Sequence, residues 1–148
     1  MATIKVVDVL NNAKIILQDS GAVRYANASL LKFFNDGQRE VVLHRPDANV
    51  AAATFACANG SKQALPAAAL RLINVIRNTS GRAVSPVDRS MLDQNLPNWH
   101  EKIAGVAGIE HFVYEATDPK NFYVFPKAVN GTHSLEIVYS TIPTDIAI

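Results

Sequence analysis

The chain begins with two segments in which apolar residues recur every three or four positions. The first stripe comprises Val6, Val9, Leu10, Ala13, Ile16 and Leu17. The second comprises Leu30, Leu31, Phe34, Gln38, Val41 and Val42. These spacings place each set on one face of an α-helix. We predict a first helix with Thr3 as its N-cap and Gly21 after its last turn, and a second that begins near Asn27 and ends at His44-Arg45-Pro46.

The second predicted helix contains a glycine where helices disfavour it. Gly37 lies near its middle and costs about 1 kcal/mol relative to alanine. We therefore expect something to pack closely against Gly37. Pro46 ends the helix, because proline disfavours the helical conformation of the residue before it.

After Pro46 the apolar runs become short, and they predict strands over residues 51–57, 62–65, 70–77 and 82–85. Asn59-Gly60 predicts a hairpin turn between the first two. Alternation in the third strand predicts one shared face, made of Leu70, Leu72, Asn74 and Ile76. The fourth is expected to pair back on the third.

The remaining residues predict one short helix and three more strands. Ser85 as a cap and Pro86 at the first helical position predict a helix to about Asn95. Strands over residues 111–116, 121–126 and 133–141 form an expected antiparallel meander, with turns at residues 117–119 and at Asn130-Gly131. In the last strand, one face carries Leu135, Ile137 and Tyr139, and the other Glu136, Val138 and Ser140.

Two N-terminal helices followed by about seven short strands and one inserted helix predict an α+β fold. The strands are expected to form an antiparallel sheet or sandwich-like region. A length of 148 residues suits one domain, which we divide into a helical part at 1–46 and a mainly β part at 47–148.

Composition narrows the classes of function. Hydrophobic residues make up 49% and charged residues 18%, which is typical of a globular protein. A formal net charge of +1 favours neither nucleic acid nor an anionic membrane as a general partner. The start lacks a basic segment followed by an apolar run, and every apolar stretch is shorter than about 18 residues. We expect no secretory signal and no membrane span, hence a protein that is cytosolic where it is made.

The common catalytic and metal-binding patterns are missing from the sequence. It contains no phosphate-binding glycine loop, dinucleotide fingerprint or nucleophile elbow. Cys57 is the single cysteine, so a disulfide within the chain is excluded, and a lone cysteine in a strand is usually a small buried hydrophobe. Asp88 and Asp93 are five residues apart with Arg89 between them, which favours a solvated helix over an acid–base pair. None of the histidines has metal-ligand spacing: His44, His100, His111 and His133. We expect no catalytic residue, cofactor or metal.

Aromatic residues admit two interpretations. Trp99 follows the short helix and either anchors an interface or, as we prefer, fills the gap between helix and sheet. The predicted meander contains Tyr114, Phe122, Tyr123, Phe125 and Tyr139. Only Lys120 and Lys127 lie near them, so packing is favoured over base stacking.

Several blocks along the chain carry a resemblance to a known family. They are Leu30–Val42, Gln63–Pro66, Val75–Asn78, Arg89–Asp93, Pro97–Trp99, Val113–Glu115, Asp118–Pro126 and Leu135–Ser140 with Pro143. In order and spacing, from about residue 5 to 146, they resemble the head–tail connector (adaptor) proteins of tailed bacteriophages, especially short-tailed phages.

The resemblance implies a structural virion protein that acts without a cofactor. Such proteins form a ring, usually of twelve copies, beneath the portal, where the ring extends the DNA channel and offers a platform for the tail. The implied partners are further copies of the chain, the portal protein and a tail tube or nozzle protein, while DNA passes through the lumen without specific binding. The implied location is the head–tail junction of the virion, after assembly in the host cytoplasm. Related proteins usually continue into C-terminal helices that can engage the portal, so the segment after Pro143 is either shorter here or incomplete.

Candidate interface residues are Trp99 in the loop at 95–105, Asn130 and Gly131 at a hairpin tip, and Ile146 and Ile148 at the C-terminus. Each also has an interpretation as ordinary core or surface structure. Two alternatives for function stay open: another neck or tail completion ring protein, and a small β-rich module that binds a ligand through its tyrosines. An enzyme using His100 or Asp93 ranks third.

Overall fold

The computed structural model describes residues 4–105 and 107–147 and has a mixed α+β fold. Its helices are α1 (Val6–Ile16), α2 (Asn27–His44) and α3 (Arg89–Asn95), with a 3-10 turn at Pro46–Ala48. Its strands are β1 (Val50–Ala56), β2 (Gly60–Ala64), β3 (Ala69–Asn78), β4 (Ser85–Pro86), β5 (His111–Val113), β6 (Asn121–Ala128) and β7 (Ser134–Thr141). The predicted α+β class is confirmed. Within the described ranges, no helix is long and apolar enough to cross a membrane.

The chain divides into two compact units. The helical unit is Met1–His44 together with Pro143–Ile148, and the β unit is Arg45–Ile142. The first contains α1 and α2, and the second contains α3 and every strand of the described residues. The grouping of the C-terminal residues with the helices was not predicted.

Helix α1 ends in a left-handed turn at Gln18, not at the predicted Gly21. Gln18 has φ 55°, and the N–H groups of Gln18 and Asp19 donate to carbonyls in the last turn of the helix. This is the usual way to satisfy the carbonyls at a helix end, here with glutamine in the position that glycine normally takes. The predicted N-cap, Thr3, lies outside the described residues.

The strands form two sheets, in the orders β1-β7-β3 and β2-β6-β5-β4, and two predicted pairings are wrong. β1 pairs with β7 and β2 with β6, so Asn59-Gly60 does not join a hairpin. β5 and β6 do pair antiparallel, but β7 joins the other sheet, so there is no meander. Both Asn-Gly turns carry the chain from one sheet to the other. The predicted return of residues 82–85 onto β3 is reduced to a bridge between Arg77 and Ala83.

Strand β3 is bulged, and the predicted face is wrong. Its ten residues pair with residues 135–141 of β7, with three register shifts. Each bulge places two residues opposite one and turns the following side chains over. The buried positions are Ala69, Leu72, Val75 and Asn78. Strict alternation had predicted Leu70, Leu72, Asn74 and Ile76.

The two sheets pack face to face around a hydrophobic core. Phe55 of β1 and Phe122 of β6 meet across it, with ring centroids 5.6 Å apart. A second cluster on the other face of β5 and β6 contains Leu92, Trp99, Val113 and Phe125. Because successive side chains of a strand point to opposite faces, β6 contributes to both clusters.

Helix α3 begins later than predicted. Asp88 is its N-cap and accepts a 2.8 Å hydrogen bond from the N–H of Ser90. Ser85 and Pro86, predicted to open the helix, instead form β4, which pairs parallel with β5. Proline is tolerated there because β4 is an edge strand. Its outer side faces no neighbouring strand among the described residues, so the missing backbone N–H of Pro86 leaves no hydrogen bond of the sheet unmade.

Candidate assembly surfaces

Gln63 holds the loop between β1 and β2. Its side chain is fully buried, and its Oε1 accepts from the N–H of Ala58 at 2.7 Å. Its Nε2 donates to the carbonyls of Ala58 and Gly60 at 3.0 and 2.9 Å. A buried amide with every polar atom paired fixes the backbone around it, so Gln63 gives the loop one conformation.

Asn78 joins the end of β3 to the segment that precedes β5. Its Nδ2 donates to the carbonyl of Ile109 at 2.7 Å, and its Oδ1 accepts from the N–H of Ile109 at 2.9 Å. Gly108, with φ +82°, lies against the same amide: a Cβ there would stand 2.7 Å from Oδ1. With Asn78 in this position, only glycine fits at position 108 without a shift of the amide.

His133 anchors the loop between β6 and β7. Its Nδ1 accepts from the N–H of Val129 at 3.0 Å, which places the ring hydrogen of the neutral form on Nε2, 3.3 Å from the carbonyl of Gly105. With both nitrogens engaged and 6% of the residue exposed, His133 is a locally hydrogen-bonded histidine.

The Asn130-Gly131 tip is exposed and its backbone is fixed. The N–H of Asn130 donates to Oδ1 of Asn59 at 2.7 Å, and Gly131 has φ +75°. The loop between β1 and β2 and the loop between β6 and β7 thus lie side by side at one end of the sandwich. As a surface feature with a defined shape, the tip stays a candidate for contact with another subunit.

Trp99 lies inside the β unit, with 1% of its surface exposed. It packs between α3 and the sheet, as the preferred interpretation has it, and its indole N–H donates to Asp93 at 2.8 Å. An interface anchor must offer surface to the partner, and Trp99 in this subunit offers none. Asp93 also lies 3.4 Å from Arg89, so it serves structure here.

The C-terminal segment is attached to α2 by Asn35. Its Nδ2 donates to the carbonyl of Ile146 and its Oδ1 accepts from the N–H of the same residue, each at 3.1 Å. Gln38 donates to Oδ1 of Asn35, and Arg39 pairs with Asp145. Ile146, a candidate interface residue, is therefore half-buried against the helix. Ile148, the other C-terminal candidate, lies outside the described residues.

Large apolar side chains are exposed on both helices of the helical unit. On and beside α1 they are Ile4, Val7, Val9, Ile15, Ile16 and Leu17. On α2 they are Phe33, Val41 and Leu43. Exposed apolar patches of this kind mark interaction surfaces.

No chemical site is evident in the described part of the chain. It contains no group of three histidine, cysteine or acidic residues that could hold a metal ion. Burial raises the pKa of the Cys57 thiol to about 12, so the thiolate that would act as a nucleophile is disfavoured.

The tyrosines offer no evident ligand site. Tyr114 and Tyr139 pack against the core between the sheets, and Tyr123 packs against the Trp99 cluster. All three are half-buried. The β unit has cavities of about 460, 270 and 300 Å³, and no tyrosine lines any of these three.

The model of the SU10 adaptor protein family matches residues 4–148. The chain belongs to the SU10 adaptor protein family. It is therefore a bacteriophage adaptor with a structural role, as the sequence resemblance implied. No curated protein matches it.

The blocks that carried the resemblance have structural roles in this adaptor. Asn35 binds the C-terminal segment, Gln63 shapes a loop and Asn78 ties a strand end to its neighbour. Sequence reasoning singled out the blocks but missed these roles. The available signal was an amide side chain among apolar neighbours, which is unusual unless the amide is hydrogen-bonded.

Proposed function

We propose that this adaptor is a subunit of the ring that joins the phage portal to the tail and extends the DNA channel. The observation that carries the proposal is the apolar surface of α1. Ile15 is 69% and Ile16 82% exposed, and Leu10 is the one buried residue of the helix. A helix that is apolar on most sides needs a partner to cover it, and a structural phage protein finds one in the assembled particle.

Charge and chemistry are consistent with this role. A net charge of +1 lets DNA pass without the multiple phosphate contacts that would hold it. A ring repeats one heterologous interface until rotation closes it, which requires surface patches and not a pocket. We infer that the adaptor works without catalysis, cofactor or metal.

Affinity purification of the tagged chain from infected cells tests the proposal. The eluate is analysed by mass spectrometry and negative-stain imaging, with untagged infected cells as the control. Portal and tail proteins together with ring-shaped particles are the expected result. Tube protein without portal protein indicates a tail-terminating ring instead. A monomer accompanied only by host enzymes or glycans overturns the proposal in favour of a ligand-binding module.

A further inference from the structure

One ridge of α2 is apolar, exposed and interrupted by glycine. Phe33, Gly37 and Val41 are four residues apart, which aligns them along one ridge of the helix. Phe33 is 65% and Val41 55% exposed. A Cβ added at Gly37 would meet nothing within 4 Å. Close packing within the subunit therefore does not account for the glycine, although glycine destabilises a helix interior relative to alanine.

Helix α1 is a second uncovered apolar surface on the same unit. Ile4 is 77% exposed, and Ile15 and Ile16 are exposed to a similar degree. A ring needs two different surfaces on each subunit, one to meet each neighbour. The ridge on α2 and the outer side of α1 supply such a pair.

We propose that the Phe33–Gly37–Val41 ridge of α2 receives helix α1 of a second copy of this chain. The proposal rests on the proposed ring and specifies its subunit contact. Glycine between two larger apolar residues leaves a notch, and the separation of packed helix axes depends on the side chains at the crossing. The notch lets a second helix approach the backbone of α2 closely.

The charges beside the two surfaces are of opposite sign. Along α1 the charged residues are Lys5, Asp8 and Lys14, which leave one positive charge. On the exposed side of α2, Lys32, Asp36, Arg39 and Glu40 sum to zero, and Asp145 of the C-terminal segment, which pairs with Arg39, leaves one negative charge. Across the ranges that the structure describes, Lys5, Asp8, Lys14 and Lys32 form no salt bridge within the subunit. A second copy therefore fits the ridge better than an arbitrary apolar partner does.

Substitutions at Gly37 test the contact. In the subunit, Gly37→Ala raises the thermal midpoint of the helical unit by about 2–4 °C, because the added Cβ is unobstructed and favours helix. Gly37→Leu keeps the subunit folded but fills the notch, and weakens self-association about tenfold or more by sedimentation velocity. Ala28→Leu is the matched control: it adds bulk at an exposed position of α2 nine residues away, on the opposite side at about 100° per residue.

Crosslinking identifies the occupant of the ridge. Chains carrying Val41→Cys are mixed with chains of different mass carrying Ile16→Cys, and a bifunctional thiol reagent is added. The native Cys57 is buried, so it contributes little background. Mixed dimers are expected, while Ala28→Cys in place of Val41→Cys gives few.

The outcomes separate this proposal from the ring itself. Rings that form with portal protein and are unaffected by Gly37→Leu overturn the docking of α1 and leave the proposed function standing. A wild-type chain that stays monomeric both alone and with portal protein overturns both. Self-association lost equally in Gly37→Leu and Ala28→Leu also overturns the assignment, because the effect is then not specific to the ridge.

Discussion

Replacing Asn78 by leucine is expected to destabilise the β unit strongly. The two side chains have the same branching and the same number of heavy atoms, so the change removes hydrogen bonds and creates no cavity, and crowding by the larger leucine methyl groups adds to the loss. The N–H and C=O of Ile109, fully buried, both lose their partner. The carbonyl of Arg82 stays satisfied in the variant, because it still accepts a hydrogen bond from the backbone N–H of residue 78. Two unsatisfied buried groups at about 1–3 kcal/mol each give a loss of about 2–6 kcal/mol in the free energy of unfolding.

Urea unfolding followed by tryptophan fluorescence measures this loss. Trp99 is the only tryptophan and lies in the same unit, so its emission reports that unit directly. Asn74→Leu, at an exposed position of the same strand, is the control and is expected to stay within about 0.5 kcal/mol of wild type. Gly108→Ala is expected to be destabilising as well, since its Cβ would collide with Asn78. A free energy of unfolding for Asn78→Leu that lies within about 1 kcal/mol of the value for Asn74→Leu would refute the reasoning.

Three further predictions concern single side chains. Because burial raises the pKa of the Cys57 thiol to about 12, this thiol should react with iodoacetamide at neutral pH only after unfolding. If it reacts in the native protein as fast as a free thiol does, Cys57 is not buried. Hydrogen bonds from backbone N–H groups, first that of Tyr25, lower the pKa of the Asp19 carboxyl from its ordinary value of 3.8. The loop at residues 23–25 is therefore ordered above pH 3.8, and this order is lost as the pH falls through the lowered pKa. Hydrogen exchange of the loop amides should show this loss at low pH in wild type and no such pH dependence in Asp19→Asn. The same pH dependence in both proteins would exclude Asp19 as the cause. Asn35→Leu should free the C-terminal segment from α2 and speed its removal by carboxypeptidase relative to Ser29→Leu, and unchanged digestion would exclude the attachment.

The presence of the helices was predicted correctly from the sequence, whereas the end of α1, the start of α3 and the strand pairing were not. Both N-terminal helices follow from periodicity within each segment, although α1 ends at Ile16, before the predicted position. Asn59-Gly60 and Asn130-Gly131 were predicted as turns between paired strands, which is wrong, because a turn signal does not specify which sheet the next strand joins. Here both turns cross between sheets. The bulges of β3 likewise depend on its partner β7, and alternation within β3 alone gave the wrong face.

The residues that organise the candidate surfaces depend on contacts distant in sequence. Asn35 and Ile146 are 111 positions apart, and Asn78 and Ile109 are 31 apart. No local pattern indicates which carbonyl an amide will bind. Gly37 is the informative exception: its position in the middle of a helix predicted a close neighbour, and the subunit places none within 4 Å of a Cβ there.

Cryo-electron microscopy of the purified phage particle tests the central claim most directly. The account predicts a ring of density between portal and tail into which the sandwich of the β unit fits, one copy per repeat, with the channel open along its axis. Density for this chain elsewhere in the particle, or particles that join head to tail without it, would contradict the account.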